Sequence, residues 1–217
     1  MYRPPAFAID GDRAIDRLIQ HYPFGLLVTG GTEAFPVATH LPMIAQRSAS
    51  GLRLLGHIAR ANPQCTAIFA EEPALAIFTG AHAYISPSWY DPPYPQVPTW
   101  NYSAVHARGR LREAADPQAI LSALTILFES KFDAPWEFAR LDRSYVEHQM
   151  RGIVAFEMIV ERIEGKAKLS QNRSERDAAG AIAGLMRSDE PLERACAAEM
   201  QRFFNRRESV TSVGEKE

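Results

Sequence analysis

Cysteine is almost absent from this sequence, which has two cysteines, Cys65 and Cys196, among 217 residues. They stand far apart and form no C-x-x-C pair, so they provide neither a disulfide framework nor the spacing of a zinc site. We interpret both as small apolar side chains of the core of a protein that works in a reducing compartment.

Long hydrophobic runs are also missing. No apolar stretch approaches the roughly 20 residues that a membrane-spanning helix needs. The first residues, MYRPPAFAIDGDR, carry prolines and charges where a signal peptide has an apolar segment. We therefore expect a cytoplasmic protein with no membrane partner. Neither sign of charge dominates, because the formal net charge is -2. A strongly basic nucleic-acid-binding protein is not indicated, although a local basic patch remains compatible with this balance.

Several sequence signatures of enzymes are absent as well. The chain has no G-x-G-x-x-G, no G-x-x-x-x-G-K-[ST], no G-x-S-x-G and no H-E-x-x-H. These absences argue against a dinucleotide-binding enzyme, a P-loop enzyme, a serine hydrolase and a zinc protease. The histidines show no helical spacing with a carboxylate, so the sequence predicts no metal site.

The apolar residues that are present predict an α+β fold in which strands predominate. Short apolar runs separated by turns are typical of an antiparallel sheet or barrel. Residues 87–98 contain five prolines, which exclude a central strand there. Asp116 followed by Pro117 predicts a helix start. The predicted strands are 24–31 with its turn, 35–44, 51–58, 75–86 with a bend at Gly80, 99–111 and 153–163; the predicted helices are 12–22, a helix from 117 onward, 141–150, 175–186 and 189–206.

A first polar cluster lies in GHIARANPQ, where a strand ends and a short helix begins. Asn62 and Pro63 resemble a helix cap and a first-turn proline. Backbone N–H groups at such a helix start, together with Arg60 and His57, suit a phosphate group. A capped turn with a surface arginine explains the same residues without a ligand.

A second cluster is aromatic and spans AYISPSWY and VPTWNYSAVHARG. Rings beside hydroxyl and amide groups suit a flat, partly polar ligand, while a proline-rich loop packed over a sheet explains them equally well. The residues in question are Tyr84, Ser86, Trp89, Tyr90, Trp100, Asn101 and Tyr102.

The third cluster, in EGKAKLSQNR, continues the last strand. There Lys166 and Lys168 fall on one face, because side chains alternate along a strand. The two lysines suit a phosphate or the edge of a flavin ring, but the solvated end of a strand also explains them.

Together with MYRPPAF at the start, these blocks resemble the PaiB-like family of FMN-binding negative transcriptional regulators. The resemblance runs in order from residue 1 to about residue 175. It implies a split β-barrel related to pyridoxamine-phosphate oxidase, with FMN bound where two subunits meet. We accordingly predict a split-barrel domain over 1–175, a C-terminal helical extension over 176–208 and a flexible tail over 209–217.

The resemblance also assigns the site. Residues 57–64 would hold the phosphate end, the aromatic cluster would line the ring, and the residues after the last strand would reach over from a partner subunit. The cofactor-binding residues predicted in this way are His57, Arg60, Asn62, Tyr84, Ser86, Trp89, Tyr90, Trp100, Asn101, Tyr102, Lys166, Lys168, Ser170 and Gln171.

Three functions remain open at this point. The family resemblance implies a homodimer that represses transcription, although no helix-turn-helix is evident. Such a protein would bind DNA through a dimer surface, with strong salt dependence. The second function is an FMN-dependent oxidoreductase for a small aromatic or heterocyclic substrate, with His40, His57 or His106 available for proton transfer. The third is haem binding through an axial histidine such as His82 or His148.

Overall fold

The computed structural model describes residues 1–31 and 35–214, and the side chains as far as residue 205. Seven strands in this part of the chain form one sheet in the order β2-β1-β5-β6-β7-β4-β3. The strands are β1 (Phe24–Thr29), β2 (Val37–Pro42), β3 (Ile44–Ser48), β4 (Gly51–Ala59), β5 (Pro73–Ile85), β6 (Thr99–Glu113) and β7 (Ile153–Lys168). The α-helices are α1 (Asp12–His21), α2 (Cys65–Phe69), α3 (Pro117–Glu129), α4 (Arg143–Met150), α5 (Glu175–Met186) and α6 (Pro191–Gly214).

The described residues divide into two compact units, and the chain passes between them within β5, β6 and β7. The first unit consists of Met1–Gly11, Thr79–Ala104 and Gly165–Glu217. The second unit consists of Asp12–Phe78 and Val105–Glu164. The domain boundaries predicted from the sequence stay a prediction.

Helix α3 of the second unit shows how local sequence fixes an element. Asp116 accepts a hydrogen bond from the backbone N–H of Ala119 at 3.0 Å, and Pro117 follows it at the first helical position. Proline is suited to that position because its missing N–H has no partner there in any helix. Ile120 and Leu124 of this helix belong to a buried cluster with Leu55, Ala114 and Ala155.

One arginine binds two carboxylates of helix α1 within the second unit. Arg47 of β3 donates from Nε and Nη2 to the two carboxylate oxygens of Asp16, at 3.0 and 2.9 Å. Its Nη1 lies 2.9 Å from Asp12. These three contacts raise the pKa of Arg47, chiefly through the Asp16 hydrogen bond. A paired fork of this kind adds geometric specificity to the charge attraction.

Two local predictions need correction. The strand predicted over 35–44 is two strands, because the chain changes partner at Met43: β2 pairs with β1, whereas β3 pairs with β4. The fully buried Met43 donates its N–H to Pro23 instead. Asn62 does not cap a helix, since α2 begins at Cys65. Its Oδ1 accepts the N–H of Gln64 in the preceding turn.

The other helices and strands lie close to their predicted positions, and β5 is continuous through Gly80. Both cysteines are unpaired and buried, as expected. Helix α6 extends through Gly214. The flexible tail predicted for 209–217 stays a prediction, because the side chains of 206–214 and all of 215–217 lie outside the described residues. None of the helices described here is both long and apolar enough to cross a bilayer.

Candidate functional site

The strands of the first unit carry a row of aromatic side chains on one face. In β5 the buried residues Ala81, Ala83 and Ile85 alternate with His82 and Tyr84. The same alternation in β6 separates Trp100 and Tyr102 from buried neighbours. We call the set His82, Tyr84, Trp100, Tyr102 and Lys166 the aromatic face.

Two large rings of the aromatic face are open to solvent. Trp100 is 54% exposed and Tyr84 is 42% exposed. Their ring centroids lie 6.2 Å apart at an interplanar angle of 74°, and the His82 ring lies 6.4 Å from Trp100. Exposed aromatic side chains clustered in this way are uncommon on the surface of a monomeric soluble protein and indicate a candidate binding site.

A buried cation belongs to the same face. The Nζ of Lys166 lies 5.0 Å from the centroid of the Tyr102 ring and 5.5 Å from that of Tyr2. The residue is only 6% exposed. Among the described residues it forms no ion pair, so its charge is balanced only by the negative faces of two rings.

A second cation lies beside it at the end of β7. Lys168 donates from Nζ to the carbonyl oxygen of Trp100 at 3.0 Å, and also to the hydroxyl of Thr99. Its pKa is lowered, first by burial and then by repulsion from Lys166 and Arg173. A lysine held in this way is stabilised by any anion that binds near it.

Arg173 is the third cation of this group, and it was missed as a site residue although it closes the KAKLSQNR block. Its guanidinium carbon lies 4.8 Å from the centroid of the Tyr90 ring, and its Nη1 donates to the Gln96 side chain at 2.6 Å. In the described residues it has no carboxylate partner. In the part of the chain that the structure describes, three cations of the first unit therefore have no carboxylate partner.

Three of the predicted residues shape the end of β7 rather than join the aromatic face. Asn101 is fully buried and donates to the Ser170 hydroxyl at 2.9 Å and to the sulfur of Met200 at 3.4 Å. Its Oδ1 has no hydrogen-bond partner in the described part of the chain. Gln171 accepts the N–H of Leu169 and donates to the carbonyl of Ala167. Ser170 adopts a positive φ of 67° in this turn.

The residues after β5 also take a different place. The Ser86 hydroxyl accepts the N–H of Ser88 at 3.2 Å and starts a short 3-10 helix, Pro87–Trp89. The Trp89 ring packs against Gly184 of α5. Tyr90 is only 3% exposed, and its hydroxyl lacks a partner among the described residues. The structure thus brings Tyr84, Trp100 and Tyr102 together, whereas Ser86, Trp89 and Tyr90 belong to the connecting loop.

The phosphate-binding residues predicted from the sequence lie in the second unit. Arg60 donates from Nε to the carbonyl of Arg151 at 2.9 Å and from Nη2 to that of Ile153 at 3.0 Å. Asn62 donates to the Thr39 hydroxyl at 2.9 Å. Burial lowers the pKa of His57, whose Nδ1 has no partner in the described ranges. Both Arg60 and Asn62 therefore already have structural roles, and their ligand roles stay predictions.

Two residues outside the predicted set of individual cofactor-binding residues also have polar contacts. His82, named from the sequence only as a candidate haem ligand, alternates with Tyr84, and the two-residue period of β5 could have placed it on the aromatic face. Gln64 is 2% exposed, and its Nε2 lies within 3.3 Å of the Leu27 carbonyl, the Thr29 hydroxyl and the Val37 carbonyl. No cluster of three metal-ligating side chains is present among residues that the structure describes.

The composition of the aromatic face and its neighbouring cations fits FMN. This cofactor has a flat tricyclic ring, which the exposed Trp100 and Tyr84 rings are suited to stack upon. It also has a phosphate group, and Lys166 and Lys168 are cations without a described carboxylate partner. The donor set present in the first unit is therefore compatible with a phosphorylated flavin.

Comparison with known proteins gives a family for the chain. Residues 1–162 match the family model described as "Putative FMN-binding domain". The chain is 36% identical over 204 residues to the protease synthase and sporulation protein PAI 2 of Bacillus subtilis, which covers 93% of this chain and 97% of that protein.

Solved structures share the fold at low sequence identity. The flavocytochrome Anf3 from Azotobacter vinelandii matches with a TM-score of 0.58 at 14% identity, over 80% of this chain and 75% of that one. The FAD and heme binding protein from Mycobacterium smegmatis matches with a TM-score of 0.55 at 16% identity, over 78% of this chain and 77% of that one. These likenesses confirm the predicted α+β, mainly β, split-barrel fold class.

These comparisons confirm the family and the cofactor that the sequence resemblance implied. The chain belongs to the FMN-binding domain family, is PaiB-like, and has FMN as its cofactor.

Proposed function

We propose that this chain is a homodimeric, cytoplasmic FMN-binding protein that acts as a negative regulator of transcription. The aromatic face carries this proposal, because Tyr84 and Trp100 remain exposed beside cations that have no carboxylate partner among the described residues. The regulatory role is drawn from the PaiB-like resemblance, and a relative's name refers to protease synthesis and sporulation.

FMN is proposed to bind on the aromatic face. The Trp100 and Tyr84 rings would orient the flavin ring and exclude water from it, while Lys166 and Lys168 would neutralise its negative charge. The cofactor supplies redox chemistry when bound, and the chain supplies orientation and electrostatics. The predicted roles of Ser86, Trp89, Tyr90, Asn101, Ser170 and Gln171 are proposed to be those of supporting residues.

A second copy of the chain is the proposed cover for the exposed rings. Burial of two large aromatic side chains on association would contribute favourable free energy in proportion to the apolar area removed from water. The matching experiment is sedimentation of the protein with and without FMN. A protein that stays monomeric under both conditions would contradict the proposed homodimer.

The site is tested by replacing one exposed tryptophan at a time. Trp100→Ala should weaken FMN by about tenfold, in line with the 1–3 kcal/mol typical of base–aromatic stacking. Trp136→Ala is the matched control, because Trp136 is 50% exposed but belongs to the second unit. Flavin absorbance and fluorescence titrations measure both. Equal affinities for both variants and the wild type would remove the ring-stacking assignment.

DNA binding needs its own test. The arginines of β6 are paired with carboxylates, which leaves little free charge there: Arg108 with Glu164, Arg110 with Glu161 and Arg112 with Glu157. We therefore expect the operator to contact a surface formed by the dimer. An electrophoretic mobility-shift assay against a library of genomic fragments should retain specific sequences. Binding should weaken steeply with salt. Retention without sequence preference, or none, would contradict the regulatory role.

An FMN-dependent oxidoreductase is the second candidate, and His82 favours it. The Nδ1 of His82 lies 3.1 Å from the carbonyl oxygen of Gly80, so Nδ1 donates its proton there and Nε2 is free to accept one. This nitrogen belongs to a ring 6.4 Å from Trp100. Reduced nicotinamide and a panel of aromatic and heterocyclic substrates test the activity. A rate that His82→Gln leaves unchanged would exclude proton transfer by His82.

Haem binding is the third candidate and uses the same histidine. His148 is less suited as an axial ligand, because its Nδ1 accepts a hydrogen bond from Arg151 at 2.6 Å. Haem titration should give a Soret band that disappears in His82→Ala if this candidate is right. The absence of a Soret shift in the wild type would exclude it.

A further inference from the structure

Trp89 fits into a notch on helix α5 that two glycines create. A Cβ atom placed on Gly184 would lie 2.4 Å from the Trp89 ring, and one placed on Gly180 would lie 2.1 Å from the Trp89 carbonyl oxygen. Real Cβ atoms do not approach other atoms so closely, so each position accepts only glycine while Trp89 stays where it is. The two glycines are one helical turn apart, on the same face of α5.

The same helix and the turn before it also contact the chain that follows Trp89. Asp177, which is 8% exposed, accepts the backbone N–H of Asp91 at 3.1 Å. Arg176 donates to the Asp91 carboxylate. Arg173 packs over the Tyr90 ring and donates to Gln96. Contacts thus run from Trp89 to Gln96, which is most of the proline-rich connection.

This connection, residues 86–98, leads directly into the aromatic face at both ends. Tyr84 lies two positions before it and Trp100 two positions after it. The ends of β5 and β6 that carry those two rings are therefore joined directly to the connection, which is the route by which a shift of the connection can reach them. Proline-rich segments transmit such a shift well, because each proline fixes its own φ and restricts the residue before it.

We propose that α5 is a positioning element for the aromatic face, with Gly180 and Gly184 as the residues that seat Trp89. The proposal rests on the proposed FMN site for its functional part. Trp89 then acts through packing rather than by contact with flavin, and α5 becomes a determinant of cofactor affinity.

The direction in which a glycine-to-alanine substitution changes stability tests this proposal. In an exposed helix interior such a change stabilises the protein, because alanine has the higher helix propensity. In the proposed notch it must destabilise, because the new methyl group overlaps Trp89. The midpoint of thermal unfolding of Gly184→Ala should therefore fall, and FMN should bind about tenfold more weakly, as expected for a positional coupling.

A second substitution distinguishes the contact made at Gly184 from the contact made at Gly180. At Gly184 the obstacle is the Trp89 side chain, whereas at Gly180 it is the Trp89 backbone. Trp89→Ala removes the ring together with its Cγ atom, which lies 2.8 Å from a Cβ placed on Gly184. It should therefore make Gly184→Ala nearly neutral in the double variant, and should leave Gly180→Ala as harmful as before. A general loss of helix packing would not show this difference.

The experiment measures thermal unfolding, FMN affinity and hydrogen exchange of residues 86–98 for the wild type, the three single variants and the two double variants. Ala183→Ser, at an exposed position of α5, is the control and should match the wild type. A higher unfolding midpoint for Gly184→Ala than for the wild type would contradict the proposal that Trp89 fills the space beside Gly184. A fall in the midpoint with unchanged FMN affinity would overturn the positioning role.

Failure of the proposed function gives a different pattern. If the wild type binds no FMN, the flavin site is wrong, and hydrogen exchange alone decides whether α5 holds the connection. Faster exchange of residues 86–98 in Gly184→Ala, which in the double variant falls back to the level of Trp89→Ala alone, supports the seat for Trp89. Exchange that is the same in all variants contradicts it. If Gly184→Ala does not fold, Trp89→Ala alone must show faster exchange of this segment than the wild type.

Discussion

The ammonium nitrogen of Lys166 lies 5.0 Å from the centre of the Tyr102 ring, and the lysine is almost completely buried. A lysine is rarely buried without a paired carboxylate, and none pairs with it in the described residues. The rings of Tyr102 and Tyr2 offset part of the cost of removing the charge from water. The rest of that cost is compensated if an anionic ligand binds, which links this contact to the proposed phosphoflavin site.

Replacement of this cation should weaken cofactor binding more than it alters the fold. We expect Lys166→Met to weaken FMN by about 1–3 kcal/mol, the usual contribution of a hydrogen bond to a charged group. The unfolding midpoint should change little, because methionine keeps the apolar stem between the two rings. Isothermal titration at low and high salt measures the effect, and the loss should shrink at high salt.

Lys131→Met is the control for that experiment. The Nζ of Lys131 also lies over a ring, 5.3 Å from the centroid of Phe132, but in the second unit. Its replacement should leave FMN affinity unchanged. If the two variants bind FMN equally well, the role of Lys166 in anion binding is contradicted.

The lowered pKa of Lys168 predicts opposite effects of alkaline pH on stability and on binding. Burial, reinforced by Lys166 and Arg173, lowers this pKa below its ordinary value of 10.5 in the folded chain. Between the two values the unfolded chain holds more protons than the folded one, so stability rises with pH through that window. Binding of an anion should weaken over the same window, because the folded lysine loses its charge.

The comparison that isolates this group is with Lys168→Met, which cannot titrate there. The free energy of unfolding of the FMN-free wild type should increase relative to that variant as the pH approaches 10.5. Denaturant unfolding over a pH series measures the difference. A constant difference across the series would show that the folded chain does not lower the pKa of Lys168.

The local features of the fold were predictable where a few adjacent residues decide the conformation. Asp116 and Pro117 predicted the start of α3, and the capping hydrogen bond to Ala119 confirms it. The missed strand β3 shows the limit of this reasoning. Its residues are exposed or half-buried and give no alternating apolar signal, so the strand is recognisable only through its pairing with β4.

The candidate site was likewise predictable only where neighbouring residues of one strand decide the placement. Alternation along β7 placed Lys166 and Lys168 on one face, and their contacts with Tyr102 and Trp100 agree with that placement. The position of Trp89 was not accessible, because its partners Gly180 and Gly184 are far along the chain. Composition identifies an aromatic residue, but only tertiary contacts decide whether its ring meets a ligand or a helix.

Arg60 is expected to matter for stability as well as for its predicted phosphate role. Its two hydrogen bonds tie the end of β4 to the carbonyls of Arg151 and Ile153. Arg60→Ala should lower the free energy of unfolding by about 1–2 kcal/mol, since each bond contributes roughly 0.5–1.5 kcal/mol. It should also weaken FMN by about 1–3 kcal/mol if a charged phosphate bond is lost.

Arg60→Lys separates these two effects. Lysine keeps the positive charge but lacks the planar fork, so it cannot reach both carbonyls. We expect it to retain most of the FMN affinity while showing the same loss of stability, as measured by titration and denaturant unfolding. FMN affinity equal to that of the wild type in both variants would remove Arg60 from the phosphate site.

Gln64 should contribute more to stability than any exposed glutamine of this chain. It is 2% exposed, and its amide nitrogen lies 3.0 Å from the Thr29 hydroxyl and 3.1 Å from the Val37 carbonyl, so it bridges β1 and β2. Gln64→Leu leaves buried acceptors without a donor, which costs about 1–3 kcal/mol. Gln20→Leu, at an exposed position of α1, is the control and should stay within about 0.5 kcal/mol of the wild type.

A double variant shows which of these acceptors carries the cost. Thr29→Val removes the hydroxyl acceptor but leaves the carbonyls of Leu27 and Val37, which no substitution can delete. The double variant Thr29→Val with Gln64→Leu should therefore recover only part of the stability lost in Gln64→Leu alone, as denaturant unfolding would show. Complete recovery would place the whole cost at the Thr29 hydroxyl and contradict the bridge to the β2 backbone. Because one carbonyl acceptor on β1 and one on β2 still lack the Gln64 donor in the double variant, partial recovery is the result that the geometry requires.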